Sequence, residues 1–118
     1  MNQLAQANPP SLDPVLHQPV RTRLAAFLAA RGEATFSELK AALETTDGNL
    51  DSHIKKLTAA GYLLTHKQQG EGRPQTLYAL SHTGMTAFAH YVQTLNALLD
   101  PEALAENPLY TDIKMELT

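Results

Sequence analysis

From residue 45 to residue 63 the chain reads T-T-D-G-N-L-D-S-H-I-K-K-L-T-A-A-G-Y-L, with Leu50, Ile54 and Leu57 recurring at i, i+4 and i+7. That period predicts a helix of about four turns, 46–60, with one buried stripe. Thr46 or Asp47 supplies the N-cap oxygen, and Gly61 stands where a left-handed C-terminal cap falls. Upstream, Pro14 opens a short turn. Pro19 suits the first position of a helix running to Ala30, with Val20, Leu24, Phe27 and Leu28 on one face and Gly32 at its end. Residues 34–36 read as a short strand beside a later hairpin, and Thr35 and Glu38 have the T-x-x-E form of a capping box. The helix this box opens extends through Leu43, with Leu39 and Leu43 inward, and 44–47 make the turn to the next helix. Downstream, 63–67 and 76–80 are strand-like runs, the second with Leu77 and Tyr78 apolar. The linker between them is Q-Q-G-E-G-R-P (68–74), whose two glycines and proline specify a long hairpin. Ser81 then caps a long last helix, 81–99, in which Met85, Phe88, Val92, Leu95 and Leu99 follow spacings of 3, 4, 3 and 4, a heptad seam widened by Tyr91 and Leu98.

The face of the 46–60 helix opposite Leu50 carries Gly48, Ser52, Lys55, Lys56 and Ala59, flanked by Asn49 and Asp51. Small side chains let such a face sink into a groove about 12 Å wide, and Asn, Ser and Lys can bond base edges and phosphates. A Lys pair on a polar face is common on solvated helices too. The hairpin that follows changes the picture, because it puts Arg73 at its tip and Lys67 at its base, next to the candidate reading helix. On these residues the expected DNA contacts are Thr46, Gly48, Asn49, Asp51, Ser52, Lys55, Lys56, Lys67 and Arg73. The fold expected is mainly α with a small β-hairpin (α+β).

In its ordered set of helix, glycine stop, hairpin with a basic tip and Ser/Thr-Gly helix start, the chain from 14 to 99 resembles the winged helix-turn-helix regulators of the MarR and ArsR kind. The stretches carrying the likeness are T-D-G-N-L-D-S-H-I-K-K-L-T-A-A-G-Y-L (46–63), G-E-G-R-P-Q-T-L-Y-A-L (70–80) and S-H-T-G-M-T-A-F (81–88). The resemblance implies a dimeric regulator acting at a promoter. Surplus apolar surface on the last helix independently favours a homodimer through Met85, Phe88, Val92, Leu95 and Leu99, over packing of that helix only on the first helix of its own chain. Two reading helices about 34 Å apart would match a pseudo-palindromic operator in double-stranded DNA.

At 118 residues and 43% hydrophobic content the chain is expected to form one domain. A polar arm (1–13) without forced structure precedes it, and an acidic tail (100–118) follows. The net charge of −3 is unevenly spread: 1–48 hold four basic and five acidic residues, 49–99 hold four and two, and 100–118 hold one and five. The candidate reading helix and hairpin are thus the net positive region, and the modest number of cations implies weak non-specific affinity. In the tail, a short helix at 102–106 is expected to break before Pro108. Leu109, Tyr110, Ile113 and Met115 offer a surface for a partner subunit or an accessory protein. No secretory signal or membrane span is read, so the expected location is the cytoplasm.

Other chemistries find little support. There is no cysteine, which excludes disulfides, thiolate metal sites and thiol switches. His17, His53, His66, His82 and His90 form no pair at metal-binding helical spacing, so no metal and no cofactor is expected; His53 is read as bracing the reading helix. Arg21 and Arg23 lie off the buried face of the first helix, to meet a phosphate or, as favoured, to keep the surface soluble. No catalytic motif is present, and G-E-G-R-P lacks the following helix that a phosphate loop needs. The chain is therefore not expected to be an enzyme. The rival reading is a winged helix serving as a protein-interaction module without direct DNA binding. An effector, if there is one, is expected between the first and last helices.

Overall fold

The computed structural model describes residues 11–69 and 72–118. In chain order the elements are α1 (Pro19–Arg31), β1 (Ala34–Thr35), α2 (Phe36–Leu43), α3 (Asp47–Ala59), β2 (Leu63–Gln68), β3 (Gln75–Leu80), α4 (His82–Leu99), α5 (Pro101–Ala105) and α6 (Pro108–Leu117). The helices and one small antiparallel sheet make a winged helix. The chain divides into two compact units, Leu12–Tyr91 and a second that holds Val92–Thr118. That division falls inside α4.

In the first unit, the core is aliphatic: Leu16, Leu24, Leu28, Leu39, Leu50 and Leu57 are fully buried, joined by Leu43, Ile54, Leu63 and Leu77. The sheet order is β1-β3-β2, all antiparallel, with Ala34 opposite Tyr78 and the hairpin paired from Leu63↔Leu80 to Gln68↔Gln75. Register here is forced by burial, because a slip of one residue would turn Leu63 and Leu77 to solvent. Phe36 begins α2 and is not part of the strand, since Thr35 is already the N-cap. The Thr35 side chain accepts from Glu38 N–H (3.2 Å) and Glu38 returns a bond to Thr35 N–H (2.9 Å), the reciprocal capping box the sequence predicts. That backbone bond, with Arg31 beside it, holds the Glu38 carboxyl below its ordinary range.

The expected arm falls mostly outside the described residues. Asp13, at its end, is anchored: Oδ1 accepts from Val15 N–H (2.8 Å) and Oδ2 from the Tyr62 hydroxyl (2.5 Å). This bond pushes the Tyr62 phenol up to about 12. Gln18 caps α1 by accepting from Arg21 N–H, a role that Gln seldom takes.

In the second unit, the short helix expected at 102–106 is α5, which ends before Pro108 as expected, and the chain then resumes, beyond that expectation, as α6 at Pro108 with Asn107 as N-cap. Leu109, Tyr110, Ile113, Met115 and Leu117 on it are all exposed. No described helix is long and apolar enough to cross a membrane.

Candidate nucleic-acid interface

Helix α3 is fixed on one side and open on the other. Leu50, Ile54 and Leu57 are buried, and Thr46 Oγ1 accepts from Asn49 N–H (3.1 Å) at the start. At the end, Gly61 N–H donates to Thr58 O and Tyr62 N–H to Leu57 O, both 2.9 Å, with Gly61 at φ 81°. This is a Schellman stop, and the positive φ explains why glycine stands there. On the other side Gly48, Asn49, Asp51, Ser52, Lys55, Lys56 and Ala59 are all exposed. A Cβ added at Gly48 would meet no described atom within 4 Å, so nothing among the described residues requires glycine at that point of the face.

The cations on this surface are not equivalent. Lys55 Nζ lies 3.0 Å from Asp51 one turn earlier, and Lys40 on α2 lies 2.8 Å from Asp47 at the start of α3. Lys56, Lys67 and Arg73 form no ion pair with another described residue. Exposed pairs of this kind hold weakly, about 0.5 kcal/mol, so Lys55 can exchange its carboxylate for a phosphate. Thr46 has its hydroxyl engaged as a cap, and its position at the helix start rather than a free side chain is what it offers. The hairpin β2–β3 packs beside α3 and exposes Lys67 on β2 and Arg73 in the connecting loop.

Two arginines behave differently from the sequence reading. Arg21 Nε donates to Val15 O (2.5 Å) and an Nη donates to His53 Nδ1 (3.1 Å), while Arg23 donates to Leu43 O (3.2 Å) at the end of α2. Both therefore tie elements together and neither is simply a solubilising charge. His53 is indeed a brace: burial first, then Arg21 and Lys56, holds it below the ordinary histidine range. Sequence could not show this, because Arg21 and His53 are far apart in the chain and meet only when α1 packs on α3.

On α4 the predicted seam separates into two lines. Met85, Val92 and Leu99, seven residues apart, are exposed (42%, 38% and 52%), while Phe88 and Leu95 are half-buried. Tyr91, assigned only to the margin of the seam, is buried at 4% and shares a 2.9 Å hydrogen bond with His17. A cleft of about 530 Å³ beside the start of α4 is lined by Asp13, Tyr62, Thr86 and Ala87, with His82 and His90 also on its wall. Among the described residues no three His, Asp or Glu side chains cluster closely enough to hold a metal ion.

The chain is 35% identical over 78 residues to an uncharacterized protein of Methanocaldococcus jannaschii, an alignment covering 66% of this chain and 85% of that one. It superposes on a transcriptional regulator homologue from Pyrococcus horikoshii with a TM-score of 0.68 and 36% identity, covering 73% of this chain and 85% of the other. A MarR family transcriptional regulator from Silicibacter pomeroyi shares the fold at a TM-score of 0.60 and 17% identity, over 83% of this chain and 64% of its own. A family model described as a winged helix DNA-binding domain matches residues 20–99. Matched by that model over most of its length, and folded as α3, hairpin and capped α4 in succession, the chain belongs to the winged helix DNA-binding domain family.

Proposed function

We propose that this chain is a homodimeric transcriptional regulator that places α3 in the major groove of each half of a pseudo-palindromic operator and represses by occluding a promoter. The observation that carries the reading is the asymmetry of α3: one face locked into the core, the other exposed, small, polar and basic, beside a hairpin exposing Lys67 and Arg73. Asn49 and Ser52 read base edges directly or through water, Gly48 allows close approach, and Asp51 orients Lys55. Lys55 and Lys56 hold phosphates or a guanine edge. Arg73 reaches the backbone or the adjacent minor groove. The exposed line Met85, Val92 and Leu99, with Phe88 and Leu95, forms the seam between copies.

Fluorescence anisotropy against the protein's own upstream DNA and a scrambled duplex, across a salt series, tests this. If Lys55, Lys56, Lys67 and Arg73 each meet one phosphate, a dimer neutralises about eight and log K falls with log salt at a slope near about −7. A slope shallower than about −3 rejects the assignment. No binding to either duplex by a folded protein transfers the weight to the protein-interaction reading, in which the exposed apolar residues of α6 become the contact surface.

A further inference from the structure

The last residues of the α3 stop are also the seat of α4. Gly61 O accepts from Ser81 Oγ (2.6 Å), and Tyr62 O accepts from Ser81 N–H (2.9 Å). The same Ser81 Oγ accepts from Gly84 N–H (2.9 Å), capping α4, so one buried hydroxyl joins the end of one helix to the beginning of the other. Gly84 lies flush on that joint. A Cβ there would sit 2.2 Å from Tyr62 O and 2.9 Å from Tyr62 C and Cα, all backbone atoms that no rotamer change can move aside.

A second tie runs from the middle of α3 to the same point. His53 accepts from Arg21, Arg21 donates to Val15 O, Val15 N–H donates to Asp13, and Asp13 accepts from the Tyr62 hydroxyl. Tyr62 is therefore held by its backbone to α4 and by its side chain to a circuit that returns to α3. Backbone carbonyls withdrawn in part from solvent and paired in this way resist opening, because an unpaired group costs more than the bond contributes.

We infer that Gly84 and Ser81 are positioning residues for DNA reading, fixing the angle between α3 and α4 and so the separation of two reading helices in the dimer. The inference rests on the proposed function. An alanine at 84 must open the gap to Tyr62 O from 2.2 Å to an ordinary contact of about 3.5 Å, displacing that backbone by more than about 1 Å. Acting at one end of a 13-residue helix, that shift tilts the far end where Gly48, Asn49 and Ser52 lie. Direct bonds to base edges tolerate little misplacement, whereas phosphate attraction tolerates much.

The test begins with selection of an operator from random duplexes by the wild-type protein. Wild type, Gly84→Ala and Ser81→Ala are then compared for melting, sedimentation, and affinity for the operator and for a scrambled duplex. Both variants are expected to remain dimeric and bind the scrambled duplex as wild type does, yet lose about tenfold or more on the operator, the cost of one spoiled base pair. Gly84→Ala, carried through its own selection, is expected to keep the half-site sequence and change the half-site separation. Unchanged operator affinity and separation in folded Gly84→Ala, or an equal loss on both duplexes, overturns the inference. Ser81→Ala adds no bulk and decides by the same affinity ratio where Gly84→Ala does not fold. A wild-type protein that selects no sequence overturns the DNA reading itself, a failure seen before any variant is made.

Discussion

Helices α3 and α4 both bury a line of residues at helical spacing, but what they leave outside differs in kind. α3 exposes glycine, serine, asparagine and lysine; α4 exposes Met85, Val92, Leu98 and Leu99. A partner for the first must supply hydrogen-bond acceptors and negative charge in a narrow space. A partner for the second must supply apolar surface. Under the proposed function the contrast corresponds to two different associations, one with nucleic acid and one with a second copy.

The strongest way to break this contrast is Val92→Glu. The side chain is exposed, so the fold is expected to survive, while a carboxylate on the seam opposes its own symmetry mate. Sedimentation is expected to show monomers, and operator affinity to fall by about a hundredfold or more as the linked second half-site is lost. A dimer of undiminished stability would place the subunit contact elsewhere. Next in size is the double change Lys55→Ala with Lys56→Ala, which leaves melting nearly unaltered. If all four lysines of a dimer meet phosphates, the salt slope becomes shallower by about 3.6; if Lys55 stays with Asp51, the change is about half that.

Gly48→Ala sharpens the comparison by moving stability and binding in opposite directions. The site is open, so the methyl is expected to stabilise α3 by about 0.5 kcal/mol, seen as a higher melting temperature. Operator affinity is expected to drop several-fold; a gain in both would mean that this face meets no groove. The smallest effect concerns acid. His53 is held below its ordinary value, so the folded chain disfavours the charged ring that the unfolded chain accepts near 6.5. Stability contributed by the neutral ring is full at higher pH and is lost as pH falls through 6.5. Melting curves at about pH 7.5 and 5.5 are expected to show a smaller acid shift for His53→Gln than for wild type.

Most of the fold was legible because its signals are local. The apolar period of α3, the T-x-x-E box, the glycine stop and the Q-Q-G-E-G-R-P hairpin each depend on residues a few positions apart, and each has its physical counterpart in the structure. The exposed face of α3 was legible for the same reason. What escaped depends on distant partners. Arg21 and Arg23 read as surface charge because Val15 O, His53 and Leu43 O come to them only through packing. Spacing alone ranks Tyr91 with its neighbours on α4; packing and the hydrogen bond to His17 bury it, while Val92 stays exposed. In the tail, the break before Pro108 is legible, but the helix beyond it is not read from the sequence, although Asn107 before Pro108 and Leu109, Ile113 and Leu117 after it form the start signal and stripe of a helix.

The two glycines on the proposed reading apparatus carry opposite instructions for descent. Among the described residues nothing fixes residue 48, whereas residue 84 touches the peptide that closes α3. As chains of this kind diverge and acquire new target sequences, position 48 is free to vary with the DNA it meets. Position 84 is bound by the backbone it touches, so under the inference above it holds the separation of the half-sites while position 48 meets the sequence within each one.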